Sequence, residues 1–226
     1  VCRDSTDGYN ITGEAKTKRA DATWAAGTGN GGMASGVTWA ANTFHVFVLG
    51  KTRDTTANDY GFDTSLTAAN LMADAAVIAA GFDIYRRIHS HWTLGAVWRA
   101  FNAKNSEGGG LDSWYKAGHT IRDLYNASAA RQTVQAAPTG VRMLCHMTVG
   151  WFYSTVEAYV WVRETDFTDV ALGYTAADLL SDAQVTAIYN SFDRWSDTSG
   201  LIAHRLGSTG SSLVISVLGY LDPRAT

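Results

Sequence analysis

The residues best able to do chemistry in this chain are two histidines one position apart, a scatter of carboxylates and a surplus of aromatic rings. His89-Ser90-His91 is an H-x-H pair. On a strand, where successive side chains alternate between faces, both rings project from one side and could chelate a metal. No third ligand lies close in sequence, so the pair reads as ordinary half-buried histidines, and no metal is expected. His45, His119, His146 and His204 stand singly, each read as a strand side chain with a hydrogen-bond partner. Asp59, Asp63 and Asp74 flank one polar segment, Asp166 and Asp169 fall in a turn, and Asp193 and Asp197 bracket Trp195. Glycoside hydrolysis needs two carboxyl groups facing each other across a cleft, and this spacing pairs none of them. There is no nucleophile elbow and no H-E-x-x-H. Gly27-Thr28-Gly29-Asn30-Gly31-Gly32 lacks the Lys-Ser/Thr of a phosphate-cradling loop and does not open a helix, so it reads as a surface turn. No catalytic residue and no cofactor are expected.

Eight tryptophans and ten tyrosines are many for 226 residues. Rings of this kind stack on the apolar faces of sugars while polar neighbours read the hydroxyls. Most of them belong to a core or a subunit interface. Trp195, set between Asp193-Arg194 and Ser196-Asp197, is the candidate for an exposed glycan or receptor contact.

The elements that must position these residues read as strands. Phe44–Leu49 is dense in aromatic and β-branched residues, and Tyr85–Ile88 forms a second extended run. Between them lies a segment over 59–80 that is too long for a hairpin loop, and one short helix or a long arm packed across a sheet is expected there. Trp92–Phe101 reads as a hairpin, Trp114-Tyr115 and His119–Tyr125 as separate strands, and Gln132–Gln135 as one extended run. Val141–Phe152 and Val156–Val162 both alternate and read as a hairpin with Tyr153-Ser154-Thr155 at its tip. Val185–Asn190, Leu201–Arg205 and Leu213–Leu218 close the chain as strands, with a tight turn at Ser208–Ser211. Near the start, Asp7-Gly8 between extended runs signals a hairpin. Many short strands separated by Gly, Ser, Asn and Asp predict an all-β, antiparallel β-sandwich, jelly-roll-like in its plan. The expected organisation is an N-terminal arm of short strands over 1–22 and a single sandwich domain over 23–226.

Composition narrows the function further. With 46% hydrophobic residues, 17% charged residues and a net charge of −3, the chain can bury a substantial core and carries no clustered basic surface for nucleic acid. No apolar run approaches the roughly 20 residues of a membrane-spanning helix, and no basic-then-apolar leader is present, so a soluble protein without membrane insertion is expected. The chain opens at Val1, which reads as a processed chain or one continuing from an upstream segment. Cys2 and Cys145 have no metal spacing, and Cys145 within a strand-like run reads as a buried free thiol rather than half of a disulfide.

Several stretches carry a resemblance: CRDSTDGYNIT at 2–12, DATWAAGTGNGGMASGVTWAANTFHVFVLGKT at 21–52, GFDTSLTAANL at 61–71, AAGFDIYRRIHS at 79–90 and SGLIAHRLGSTGSSLVISVLGYLDPR at 199–224. Together, and in this order, they resemble virion structural proteins of tailed bacteriophages and prophages, of the tail-fibre type. The chain departs from that pattern at His89, which stands where the family carries glycine, and its middle matches loosely. The resemblance implies a non-enzymatic fibre, spike or decoration module at the particle surface, engaged in host attachment. The implied partners are its own copies in a homotrimer, other virion proteins, and a glycan or protein of the host surface. A stand-alone carbohydrate-binding module and a glycan-cleaving depolymerase are the alternative readings.

Overall fold

Among the described residues, most of the extended runs read from the sequence are strands. In the computed structural model, strands take 57% of the residues and helices 6%, which makes the fold all-β and sandwich-like. The structure describes residues 2–3, 8–9, 15–38, 43–93, 101–105, 111–124, 130–152, 158–169, 179–181, 188–206 and 212–223. The expected turn at Ser208–Ser211, the tip at Tyr153-Ser154-Thr155 and most of the Trp92–Phe101 hairpin lie outside them. The chain divides into two compact units, one running to Trp98 and one from Arg99 to Pro223.

The first unit is a mixed seven-stranded sheet. Its strands are β1 (Cys2–Arg3), β2 (Gly8–Tyr9), β3 (Arg19–Thr23), β4 (Gly31–Met33), β5 (Thr43–Lys51), β6 (Asp54–Asp63) and β7 (Ile84–Trp92), in the order β2-β1-β7-β5-β6-β4-β3. The β3–β4 and β4–β6 pairs are parallel and the others antiparallel. The segment expected as an N-terminal arm begins as the β1–β2 hairpin, which joins the sheet where Arg3 faces Tyr85.

β5 lies between β6 and β7, with Phe47 and Leu49 wholly buried on one face and Phe44 buried beside half-buried Val46 and Val48 on the other, which is why Phe44–Leu49 reads as a nearly continuous apolar run. Phe47 and Leu49 pack with Trp24, Leu71, Val77 and Phe82 on one face, and Phe44 packs with Met33 and Phe62 on the other. The 59–80 segment finishes β6 and then forms two short helices, α1 (Ala69–Met72) and α2 (Ala75–Ala79), where one helix or an arm was expected. Both pack across the sheet through Leu71 and Val77. Aspartates hold them in place. Asp63 accepts from the backbone N–H of Ser65 and Leu71 and from the Asn70 amide, and Asp74 accepts from Ala76 and Ser35. Gly61 makes the docking possible, because a Cβ there would sit 2.7 Å from the Leu71 side chain.

The second unit is a sandwich of two antiparallel sheets. The five-stranded sheet has the order β14-β11-β16-β9-β8, and the four-stranded sheet β10-β15-β12-β13. These strands are β8 (Phe101–Asn105), β9 (Leu111–Leu124), β10 (Gln132–Gln135), β11 (Leu144–Phe152), β12 (Ala158–Arg163), β13 (Leu179–Ser181), β14 (Ile188–Trp195), β15 (Leu201–Leu206) and β16 (Ser212–Asp222). The core between the sheets is drawn from both, with Met147, Val149 and Trp151 of β11 meeting Val160, Val162, Ile202 and Leu206 opposite.

Two expectations change here. β11 and β12 are not a hairpin, since β11 pairs with β14 and β16 whereas β12 pairs with β13 and β15. Alternation says which face of a strand is buried but not which strand lies beside it, and two strands facing one core from opposite sheets show the same pattern. The strands expected at Trp114-Tyr115 and His119–Tyr125 are one strand, β9, carried across register shifts against β16.

Candidate functional site

One face of the five-stranded sheet packs on the core, and the other carries the exposed chemistry. On β11, Cys145, Met147, Val149 and Trp151 are buried, so Leu144, His146, Thr148 and Gly150 turn to the outer face. The pairing registers extend that face into rows across the strands. Asp193, His146, Gly219 and Trp114 form one row over β14, β11, β16 and β9. Ser191, Thr148, Ser216 and Thr120 form the next, a run of four hydroxyls in which Thr120 and Ser216 are 3.0 Å apart. Tyr189 faces Gly150 in the third.

The first row is bonded along most of its length. The Trp114 indole stacks on the His146 imidazole, with centroids 4.5 Å apart and planes at 7°. His146 Nδ1–H donates to Asp193 Oδ1 at 2.8 Å. Gly219 lets β9 come close beneath this row, because a Cβ at that position would lie 2.2 Å from the Ser113 carbonyl oxygen. In the third row the Tyr189 ring lies against Gly150, where a Cβ would come within 2.4 Å of the ring. Trp114 remains 38% exposed and Tyr189 60%, so two aromatic faces look outward on either side of the hydroxyl row. From Trp114 to Asp193 spans three inter-strand steps, about 14 Å at sheet spacing.

Two depressions meet at Asp193. One, of about 290 Å³, is bordered by Trp114, His146, Ser191 and Leu218. The other, of about 500 Å³, is bordered by Leu144, Trp195, Arg163, Glu164, Arg194 and Phe167. In the larger cleft the Arg163 guanidinium lies 5.7 Å from the Trp161 ring centroid and 5.8 Å from that of Phe167. Arg194 Nε donates to the Val162 carbonyl at 2.8 Å, tying the edge of one sheet to the other. Arg142 forms an ion pair with Glu164 at 2.5 Å.

Trp195 closes β14 opposite Leu144 and is half-buried in the wall of the larger cleft. Among the described residues the more exposed rings are Trp114, Tyr189 and Phe167. A signal for this face was present in β14, where Tyr189, Ser191, Asp193 and Trp195 share one side at alternate positions. It is concealed when the strand is ended at Asn190, because Asp193-Arg194 looks like a polar turn.

The other candidate residues serve the fold. His89 and His91 lie buried on β7 with rings 6.3 Å apart. Burial, followed by the charge of neighbouring His89, lowers the pKa of His91 to about 3. Among the described residues no group of three His, Cys, Asp or Glu side chains comes together to hold a metal. His45 bonds Ser90 at 2.8 Å, and His204 bonds the Gln132 carbonyl at 3.1 Å. The side chain of His119 lies outside the described residues. Asp59 is buried against Lys18 at 3.1 Å and accepts from Gly27 N, which anchors the glycine-rich turn between β3 and β4. Asp169 pairs with Arg205, and Asp197 accepts from Ser199 N, Leu201 N and the Thr165 hydroxyl. Asp166 is exposed. Cys145 is a buried free thiol whose pKa is pushed up to about 12 by desolvation, which makes it a poor nucleophile. Comparison with known proteins finds no matching family model, no matching curated protein and no matching solved structure.

Proposed function

We propose that this protein is a non-enzymatic surface-recognition module of a bacteriophage particle, a fibre, spike or decoration element that binds carbohydrate on the host through the outer face of its five-stranded sheet. The phage setting rests on the sequence resemblance. The binding role rests on one observation, the pair of outward-facing rings at Trp114 and Tyr189 flanking a four-strand row of hydroxyls. A rigid sheet offers such rings already oriented, so little ordering entropy is lost when a sugar stacks on them. His146 stacks against the Trp114 ring and Gly150 leaves room for the Tyr189 ring against the sheet, which distinguishes this arrangement from scattered surface aromatics.

A glycan array probed with the intact chain tests the reading. Binding to at least one host-surface glycan is expected, with loss of signal in Trp114→Ala. Uniform background across lipopolysaccharide, capsule and teichoic glycans contradicts it. New reducing ends on incubation with those glycans would point instead to a depolymerase. A homotrimer is the proposed assembly, in keeping with the symmetry of particle appendages, and a mass corresponding to a monomer at micromolar concentration would contradict that part.

A further inference from the structure

Resting on the reading of this face as a carbohydrate platform, we infer that the platform and the cleft beyond Asp193 form one groove whose ligand is a neutral, hydroxyl-rich oligosaccharide, read at its centre by Asp193. Continuity comes from Asp193 itself, which borders both depressions. Its side chain is 59% exposed, and while Oδ1 accepts from His146, Oδ2 has no hydrogen-bond partner among the described residues. A carboxylate held by one oxygen and open at the other is preorganised to accept from a sugar hydroxyl, a charge-assisted bond stronger than a neutral one. The imidazole of His146 acts as the positioning group, fixed between the Trp114 ring and the carboxylate.

Neutrality of the ligand follows from the charges around the groove. The larger cleft is lined by two cations, Arg163 and Arg194, and two carboxylates, Glu164 and Asp193, with Glu164 paired to Arg142. The carboxylate nearest the platform is the most exposed of these groups at the junction, so an anionic sugar placed there meets like charge, whereas a hydroxyl finds an acceptor. Length follows from the spacing. Trp114 and Trp195 stand at opposite ends of the groove, three strands and two residues apart, farther than a single sugar ring extends. Phe167, 53% exposed, adds a second ring to the larger cleft beside Trp195.

Titration calorimetry on the intact chain tests this, using gluco-, manno- and galacto-oligosaccharides of one to six units and galacturonate oligomers of the same lengths. Affinity for at least one neutral series should rise with length, and the matching uronate should bind at least tenfold more weakly. Asp193→Asn should weaken neutral binding by about tenfold and narrow the gap to the uronate. Phe167→Ala should weaken the hexamer while leaving the disaccharide unchanged. His146→Gln, which keeps an N–H donor, should retain more binding than His146→Ala. Uronates binding as well as neutral sugars, or a hexamer binding no better than a disaccharide, would overturn the groove while leaving the platform standing if Trp114→Ala still abolishes binding. Absence of binding to every sugar would overturn both.

Discussion

The sheet of the first unit and the five-stranded sheet of the second are built from similar sequence, alternating runs rich in aromatic and β-branched residues with histidines inserted, yet they use those residues in opposite ways. Where β5 and β7 pair over 43–46 and 89–92, their histidines are sealed in: His45, His89 and His91 are all buried. β11 and β14 bury one face only, and His146 on the other becomes part of an exposed stack with Trp114 and Asp193. Burial rather than residue type therefore separates a structural histidine from one that presents chemistry. An H-x-H pair draws attention in the sequence, but a lone histidine backed by an exposed tryptophan has the surface a ligand can reach.

Substitutions can break or sharpen this contrast. Phe47→Ala, in the sheet of the first unit, should cost about 3–5 kcal/mol of stability as read by urea denaturation, because Phe47 is wholly buried. Gly219→Ala should cost about 2–3 kcal/mol, since the new methyl meets backbone rather than a flexible side chain. It should also weaken glycan binding by disturbing the strand that carries Trp114, which calorimetry would register.

Acid should act through buried His91. His91 titrates at about 3 in the fold, below its ordinary 6.5, chiefly through desolvation and then through His89. The unfolded chain therefore binds a proton that the folded chain refuses between those values. The stability contributed by the neutral ring is complete above pH 6.5 and is lost as pH falls toward 3. Between pH 7 and 5 the loss from this group should be about 2 kcal/mol, and His91→Leu should flatten that part of the profile. An unchanged slope in the variant would assign the acid sensitivity elsewhere.

The smallest stability effect expected belongs to Gly150→Ala. Its methyl would displace the Tyr189 ring, which is largely exposed and can swing into solvent, so stability should stay within about 0.5 kcal/mol. Glycan affinity should nevertheless fall severalfold. A change in binding without a change in stability is the signature of a presented surface, and no substitution inside the β5–β7 sheet should show it.

Much of the fold is legible in the sequence, and the reason lies in burial. β5 announces itself by its run of aromatic and β-branched residues, the core side of β16 because its apolar residues match the sheet period, and β10 is visible at its observed ends, Gln132 and Gln135. Strand partners are not legible. Met147 and Val160 alternate correctly for a hairpin and for two opposed sheets alike, and only the three-dimensional packing selects the second. The proposed binding face is hidden for a related reason. Trp114, His146 and Asp193 are far apart in sequence and meet only through the registers of four strands, with the contribution of Gly219 to their close approach invisible until β9 is seen beside it. Trp195 could be singled out because its neighbours are polar. Its half-burial reflects the cleft wall contributed by Leu144 and residues after β12, which no local pattern encodes.

The most direct test compares the intact protein with a Trp114→Ala/Tyr189→Ala double variant on a panel of host-surface glycans, with the urea midpoint of each measured alongside. Binding by the parent chain, loss of that binding in the variant and an unchanged midpoint are the predicted result. Equal binding by the two proteins would contradict the assignment of carbohydrate recognition to this face of the sheet.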